Sequence, residues 1–391
     1  MPAASTIDDS RYAEIIERGC ADEPVSPDDA RRIIADDSAS LLPLAHAAGL
    51  VRRRFFADRV QVHRLHNVQC GACPEDCGYC GQAKTSDAPI AAYTLKGRDE
   101  ILAEAHRAKE SGAFRYCMVL SGRGPDDDDI DFMSGCIREV KERFGLETCL
   151  SAGLMDEAKA RRLKDAGLDR LNHNLNTSES RYPDICTTHN YADRVETLRA
   201  ARTAGLAVCS GLIVGMGETI DDIIEVGLEL RSLGAESIPV NFLVPIPGNA
   251  VTTPVSNGGP LTPAYCLRVL CAMRFLNPSA EIRMAAGREI HLRSLQPIAL
   301  EPANSLFIDG YLLTRGSPAS VTIQMIRDAG FTIALPAGAE PGPLRALLAA
   351  LDAHSVFGDD DADLSIIKAE HVAPRKLARL KVSAEPSSRG A

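Results

Sequence analysis

Three cysteines on one short segment are the residues of this chain best suited to chemistry. The segment Cys73–Cys80 reads CPEDCGYC, with the spacing C-x3-C-x2-C, and it directly follows a strand-like run. Thiolates are soft ligands that select iron–sulfur clusters or zinc. A [4Fe–4S] cluster usually takes four thiolates, so three would leave one iron open to a substrate. The alternative is structural zinc, for which Cys70 would supply the fourth ligand.

Four further polar side chains lie in the middle of separate strand-like runs. In a barrel, a polar side chain at such a position must be satisfied or functional. Each cysteine taken singly is more often a core residue than a ligand, whereas an unpaired buried guanidinium is costly. These residues are Cys117, Cys149, Cys209 and Arg283. We interpret the cysteines outside this set and the loop as structural, namely Cys20, Cys136, Cys186, Cys266 and Cys271.

Asparagines mark the ends of two strand-like runs. Asn172, Asn174 and Asn176 alternate, so in an extended chain they face the same way. An amide both donates and accepts, which suits ribose hydroxyls and ureido groups, although a polar turn with Asx caps is the alternative. Asn241 stands alone in an apolar strand, which favours a functional role.

The elements that position these residues alternate regularly between strand and helix. Eight strand-like runs within about 270 residues predict a (β/α)8 TIM-type barrel in the α/β class, with an open doubly wound sheet as the alternative. We expect a helical N-terminal segment over 1–59, the barrel over 60–335 and a partly disordered C-terminal extension over 336–391. The runs are 60–68, 114–120, 147–153, 169–175, 206–214, 237–244, 281–287 and 304–310.

Composition narrows the class of protein. The 391 residues carry a formal net charge of −10, which lacks the basic footprint of a nucleic-acid binder. No apolar run approaches the ~18 residues that span a membrane, and the first residues lack a secretory pattern. We therefore expect a cytoplasmic location with no membrane partner, where the 12 cysteines serve metal ligation or burial rather than disulfides.

The cysteine loop, with Tyr79 before its last cysteine, resembles the radical S-adenosylmethionine (SAM) superfamily, and CPEDCGYC resembles the biotin synthases. The resemblance covers about residues 45–332; Cys70 departs from the family pattern. It implies two sets of metal ligands. The first set would bind a [4Fe–4S] cluster whose open iron chelates SAM, and it is Cys73, Cys77 and Cys80. The second would bind a [2Fe–2S] cluster, and it is Cys117, Cys149, Cys209 and Arg283.

The resemblance also implies contacts to SAM and to the substrate, dethiobiotin. Arg194 would pair with the SAM carboxylate, against the alternative of an exposed helix arginine. The SAM-binding residues would be Tyr79, Asn174, Asn176, Arg194, Gly215 and Glu218, and the catalytic residues Asn174 and Asn241. Some family members have Asp at the position of Asn176. The role of Arg123 is left open: it is either a substrate contact or a surface residue.

The reaction that the resemblance implies is sulfur insertion into dethiobiotin. SAM cleavage would give a 5′-deoxyadenosyl radical that removes hydrogen at C9 and later at C6, and [2Fe–2S] would donate the sulfur. The implied partners are an electron donor of the flavodoxin or ferredoxin type, iron–sulfur assembly proteins and a second copy in a homodimer. Three alternatives stay open: another radical SAM reaction, a cluster carrier and a structural zinc protein.

Overall fold

The computed structural model describes residues 12–314, 316–336, 338 and 342–353. The chain divides into two compact units after Leu347, and of the second unit only 348–353 are described. Most of the extension expected to be partly disordered, 336–391, therefore lies outside the described residues. Among the described residues, no helix is both long and apolar enough to cross a membrane.

Eight parallel strands of the described chain close into a barrel. The described chain has twelve strands in all, namely β1 (Arg59–Asn67), β2 (Arg115–Val119), β3 (Glu147–Ser151), β4 (Arg170–Asn172), β5 (Ala207–Cys209), β6 (Leu212–Val214), β7 (Ser237–Phe242), β8 (Val255–Ser256), β9 (Gly259–Pro260), β10 (Glu281–Met284), β11 (Ser305–Ile308) and β12 (Thr332–Ala334). Around the barrel the order is β1-β2-β3-β4-β5-β7-β10-β11, and β11 pairs with β1. This closure confirms the predicted barrel and excludes the open sheet.

The fifth barrel position is made by two short strands, β5 and β6, which both pair with β7. Gly211 lies in the break between them. A Cβ atom at Gly211 would stand 1.9 Å from the carbonyl oxygen of Pro239, so only glycine fits there. Each of the eight predicted runs contains one barrel position, which is why the count from the sequence was correct.

Helices surround the barrel and follow most of its strands. They are α1 (Ala13–Cys20), α2 (Pro27–Ala35), α3 (Leu41–Phe56), α4 (Arg98–Glu110), α5 (Asp127–Phe144), α6 (Glu157–Asp165), α7 (Tyr182–Ile185), α8 (Tyr191–Thr203), α9 (Ile220–Ser232), α10 (Pro263–Leu276), α11 (Arg288–His291), α12 (Gln296–Ala299) and α13 (Ala319–Asp328). A further helix, α14 (Gly342–Ala353), includes Leu347, after which the two units divide. Helices α2 and α3 pack on α10. There the buried Arg268 donates to the carbonyl oxygens of Ile33 and Ala39, at 3.4 and 2.5 Å.

Strand alternation separates the outer core from the barrel interior. On β2, Tyr116 and Met118 belong to the apolar cluster between strands and helices, whereas Cys117 belongs to a small interior cluster. On β3, Leu150 faces the helices and Cys149 faces the interior in the same way. Because side chains alternate with period two, the polar residues placed between apolar ones point into the barrel.

Candidate active site

A cavity of about 190 Å³ opens at the carboxyl ends of the barrel strands. Its walls come from the loop after β1, the segment after β4, the strands β6 and β7, and the segments after β10 and β11. Five of the predicted site residues line it together with Cys80, and they are Tyr79, Asn174, Asn176, Arg194 and Asn241. The barrel thus brings together residues that lie up to 162 positions apart (79 to 241).

The asparagine segment does not continue as a strand to its end. Strand β4 ends at Asn172, whose amide donates to Sγ of Cys209 at 3.2 Å and so lies deeper than predicted. Asn176 has a φ of 72°, a left-handed conformation that asparagine adopts at low cost. Its Nδ2 donates to the hydroxyl of Tyr79 at 2.6 Å, which joins the strand end to the cysteine loop. Asn174 and Asn176 line the cavity, whereas Asn172 does not.

Arg194 brings a buried positive charge to the cavity wall. A capping box between Asn190 and Asp193 begins α8, and Arg194 projects from its first turn. Its Nη1 donates to the carbonyl oxygen of Asn174 at 2.7 Å, and Nη2 lies 2.8 Å from Nε2 of His189. Burial opposes the charge, but the nearby Tyr79 and other acidic groups keep the pKa of Arg194 above its ordinary value. The side chain is 7% exposed, which excludes the exposed-helix interpretation.

The remaining predicted SAM and substrate residues differ in their positions. Asn241 reaches the cavity, while its Nδ2 donates to Leu212 O at 3.0 Å and its Oδ1 accepts from Ala286 N at 3.2 Å. Glu218 is buried outside the cavity wall, and its carboxylate accepts from the backbone N–H groups of Gly215 and Met216 at 2.8 and 2.7 Å. Gly215 and Glu218 therefore form a closed turn beside the cavity rather than part of its lining.

The cysteine loop is tied to its neighbours by backbone hydrogen bonds. Gly78 N donates to Ile185 O at 2.9 Å, and Tyr79 O accepts from Nδ2 of Asn249 at 2.9 Å. Cys77 is buried, and Cys80 lies at the cavity wall. A hydrogen bond with Cys186 and burial raise the pKa of Cys77, and binding of a metal would release its proton.

The arrangement of these thiols argues against a single zinc ion. In the part of the chain that the structure describes, the one set of three Cys, His, Asp or Glu ligand atoms within 4.8 Å of one another is Cys77, Cys186 and His189. Cys73 and Cys80 do not join such a set with Cys77. Cys70 is buried and pairs through its backbone with Tyr93, as expected for a structural residue. The three loop thiols are therefore not gathered closely enough to surround one tetrahedral ion.

The second predicted set meets inside the barrel below the cavity. Cys117 stands directly opposite Cys149 on the neighbouring strand, and Arg283 Nη1 lies 3.7 Å from Sγ of Cys209. All four side chains are buried. A hydrogen bond from Cys149 lowers the pKa of Cys117, and Arg283 adds to this effect against burial. Three apposed thiols beside a fixed cation match the donor chemistry that a small iron–sulfur cluster requires.

A buried ion network supports Arg283. Glu281 accepts from Nε of Arg283 at 3.1 Å and from Nη1 of Arg115 at 3.0 Å, and Oγ of Ser305 donates to it at 2.7 Å. Burial alone would raise the pKa of Glu281, but Arg115 and Arg283 hold it well below its ordinary value. Burial and the same two arginines lower the pKa of His63, which also touches this network. Glu281 therefore neutralises the charge of the buried Arg283 guanidinium, as the burial of a charged group requires.

Comparison with known proteins gives the family. Family models for the Radical SAM superfamily and for the Biotin and Thiamin Synthesis associated domain match residues 69–229 and 239–332. The biotin synthases of Acaryochloris marina (strain MBIC 11017) and Magnetococcus marinus (strain ATCC BAA-1437 / JCM 17883 / MC-1) are each 55% identical to the chain over 302 residues. Those stretches cover 77% of this chain and 86% and 93% of the two proteins. The chain belongs to the biotin synthase family.

Membership of the biotin synthase family confirms an enzyme of the radical SAM superfamily, for which SAM and iron–sulfur clusters are the expected cofactors. The cysteine loop lies in the first matched domain, and Asn241 and Arg283 lie in the second. The crystal structure of methylornithine synthase (PylB) has the same fold, with a TM-score of 0.70 at 19% identity. The superposed residues make up 85% of this chain and 99% of the methylornithine synthase chain.

Two groups of residues in this chain were not predicted from the sequence. Arg115 and Glu281 each lie two residues before a predicted ligand, on the same strands as Cys117 and Arg283. Period-two spacing was the available signal, since it puts each pair on one strand face. The other group adjoins the cysteine loop and consists of Glu75, Asp76, Cys186 and His189. The spacing Cys186-x2-His189 hinted at it, but nothing in the sequence linked that pair to Cys77.

Of its two interpretations, the structure favours the surface residue for Arg123, which in addition makes two hydrogen bonds. Its Nη1 donates to Oε1 of Glu75 at 3.2 Å and to Thr188 O at 2.6 Å. The side chain is half exposed and does not line the cavity. Arg123 therefore ties the cysteine loop to the segment after α7.

Proposed function

We propose that this chain converts dethiobiotin to biotin by sulfur insertion, with SAM, a [4Fe–4S] cluster and a [2Fe–2S] cluster as cofactors. The observation that supports this proposal most strongly is that one barrel holds two separate sets of cysteine thiols. Cys80 of the loop stands at the cavity wall, and the group around Cys209 lies at the floor of the barrel. A substrate held in the cavity would lie between them.

The metal ligands follow from this arrangement. We assign Cys73, Cys77 and Cys80 to the [4Fe–4S] cluster. The [2Fe–2S] ligands are then Cys117, Cys149, Cys209 and Arg283. When bound, the first cluster supplies the electron that cleaves SAM and the second supplies the inserted sulfur. The chain's own residues bind and orient the two reactants and keep water from the reacting carbon atoms.

SAM is bound by residues around the upper cavity. Arg194 carries a fixed charge beside Asn174, which suits the SAM carboxylate. The Tyr79 hydroxyl and the Asn176 amide form one hydrogen-bonded pair that suits a ribose. In this proposal the adenine extends from the cavity to the adjoining turn and meets the backbone of Gly215 there, and Glu218 keeps that turn closed through two backbone hydrogen bonds.

Dethiobiotin is oriented by neutral amides within apolar walls. Asn174 and Asn241 present groups that donate and accept, as the ureido ring requires. Asn241 is held by two backbone hydrogen bonds, so its orientation is preset before substrate binds. Ile213 and Leu243 line the same cavity and exclude water from the carbon that loses hydrogen.

The partners belong to the same proposal. The clusters require a one-electron donor of the flavodoxin or ferredoxin type and iron–sulfur assembly proteins, and we propose a homodimer as the working assembly. Dethiobiotin is the small-molecule partner.

The test is an anaerobic assay that measures biotin and 5′-deoxyadenosine together after reconstitution with iron and sulfide. We expect both products from the unchanged chain, 5′-deoxyadenosine without biotin from Cys209→Ala, and neither product from Cys77→Ala. The last variant is the matched control because it changes the same residue type at the other cluster. 5′-Deoxyadenosine without biotin from the unchanged chain would contradict the substrate and favour another radical SAM reaction. Absence of both would contradict the radical chemistry itself.

A further inference from the structure

Cys186 lies beside a cysteine of the loop although the proposed reaction does not use it. Its Sγ stands 3.7 Å from Sγ of Cys77, and both side chains are buried. The nearest ring nitrogen, Nδ1 of His189, lies 3.3 Å from the same sulfur. Cys77 is therefore the one loop cysteine that the structure pairs with a second thiol outside the loop, among the described residues.

The two backbone segments that carry these thiols are locked side by side. Gly78 N donates to Ile185 O at 2.9 Å, directly next to the two cysteines. The carboxylate of Asp76 accepts from the backbone N–H groups of Thr187 and Thr188 at 2.9 and 3.2 Å. Because one of these contacts joins backbone to backbone and two more join the Asp76 carboxylate to backbone, the short separation of the sulfur atoms is supported by several hydrogen bonds.

Cys186 is also reachable from outside the barrel. It lines a pocket of about 420 Å³ together with Tyr182, Thr187, His189 and Tyr191. None of these residues lines the cavity in which the proposed reaction occurs. A small neutral molecule entering this outer pocket would meet Cys186 before it met Cys77, which does not line the pocket.

We propose that Cys186 is an oxidation site which, in the cluster-free chain, reacts with hydrogen peroxide and closes a disulfide with Cys77. The Cys186 thiolate attacks one peroxide oxygen, forming the sulfenic acid and releasing hydroxide. The Cys77 thiolate then attacks the Cys186 sulfur, forming the S–S bond and releasing a second hydroxide. Both sulfur atoms are oxidised, and the two peroxide oxygens are reduced to hydroxide and, with the thiol protons, to water.

The disulfide holds Cys77 in a recoverable form. A sulfenic acid left alone oxidises further to sulfinic acid, which thiols do not reduce, whereas a disulfide is reopened by a reducing thiol. Once reopened, Cys77 is free to bind a cluster again. The inference needs only that Cys77 lacks its cluster, so it does not depend on which substrate the holoenzyme uses.

The test treats the full chain, stripped of iron by a chelator under anaerobic conditions, with hydrogen peroxide and then blocks free thiols by alkylation. Cleavage before Asp76 and after Tyr79 isolates Cys77 from Cys73 and Cys80, and mass spectrometry then assigns the linked peptides. We expect a Cys77–Cys186 disulfide as the main product, which dithiothreitol removes. After that reduction the chain should regain the iron content of an untreated sample upon reconstitution.

Two variants distinguish the protection of Cys77 by Cys186 from general oxidation of the thiols. In Cys186→Ser we expect sulfinic acid at Cys77 and a several-fold loss of iron uptake after peroxide and dithiothreitol. In Cys73→Ser, the matched control within the loop, the Cys77–Cys186 disulfide should still form. A main disulfide between Cys77 and Cys73 or Cys80, or iron uptake in Cys186→Ser equal to that of the unchanged chain, would overturn the proposal. Biotin formation is not a readout here, so failure of the proposed function would be seen separately.

Discussion

The guanidinium of Arg283 lies 3.7 Å from the sulfur of Cys209 at the floor of the barrel, although 74 positions separate the two residues in the chain. Arginine keeps its charge at all accessible pH values, so a buried guanidinium requires a fixed countercharge. Glu281 supplies it, two positions away on the same strand face. The residues proposed as [2Fe–2S] ligands and the buried ion network are thus in direct contact, so we expect a change in the network to alter both the stability of the fold and the binding of the cluster.

Glu281→Gln is predicted to destabilise the fold strongly. The change removes the carboxylate shared by Arg115 and Arg283 and leaves two buried guanidinium groups without it. Breaking a buried ion pair costs about 3–5 kcal/mol in the free energy of unfolding. Denaturant titration of the chain measures this loss. The control is Glu157→Gln, which removes an exposed pair with Arg161 and should cost less than about 1 kcal/mol. Equal losses in the two variants would contradict the network.

Cys80→Ala is predicted to remove the iron of [4Fe–4S] and to abolish SAM cleavage, because the cluster would then lack one of its three proposed thiolate ligands. Iron analysis and electron paramagnetic resonance of the reduced protein measure the cluster, and 5′-deoxyadenosine measures cleavage. Cys136→Ala is the control, since Cys136 is buried on α5 against the outer core. Iron content that falls equally in both variants would show that thiol removal acts through general misfolding.

Tyr79→Phe is predicted to weaken SAM binding without loss of the clusters. The hydroxyl of Tyr79 accepts from Nδ2 of Asn176 at 2.6 Å, and its removal leaves that amide without its partner. The expected loss is about 1 kcal/mol, or roughly fivefold in the dissociation constant for SAM. Calorimetric titration of the reconstituted protein measures it. Tyr116→Phe also removes a buried hydroxyl, but away from the cavity, and should leave SAM affinity unchanged.

His66 is predicted to make stability depend on pH. Its imidazole is buried between the hydroxyl of Tyr116 and the ammonium group of Lys96, at 2.5 and 3.0 Å. Burial and the nearby Lys96 lower its pKa to about 4. In the unfolded chain histidine titrates near 6.5, so the unfolded state binds more protons between these two values. The contribution of neutral His66 to the free energy of unfolding is therefore fully present above about pH 6.5, and it is lost as the pH falls toward 4.

The measurement compares the unchanged chain with His66→Gln by denaturant unfolding at two pH values. Between pH 7.5 and pH 6.0, the unchanged chain should lose about 0.8 kcal/mol more than the variant. His106→Gln is the matched control, because the His106 side chain is exposed on α4, where it faces Glu110 and the ring of Phe144. If His66→Gln loses as much stability as the unchanged chain over this range, another group causes the pH dependence.

The amino-acid sequence by itself determined the barrel and singled out both thiol sets, although the ligand role of the second set came from the resemblance to the biotin synthases. Strand alternation and helix periodicity depend on neighbours within a few positions, so eight runs could be counted and polar residues assigned to the interior. The C-x3-C-x2-C spacing is equally local, because one short loop carries all three thiols. Residues such as Cys117 and Arg283 were found for the same reason, since each interrupts an otherwise apolar run.

Only the tertiary structure decided which distant groups touch. Cys186 meets Cys77 across 109 positions, and Glu281 meets Arg115 across 166, through loop and barrel contacts that no local spacing encodes. Glu218 turned toward backbone N–H groups and Asn172 toward Cys209, because buried polar atoms take the partners that packing brings within reach. Local patterns specify the elements of this protein, whereas the pairing of its buried polar groups depends on how those elements close around one axis.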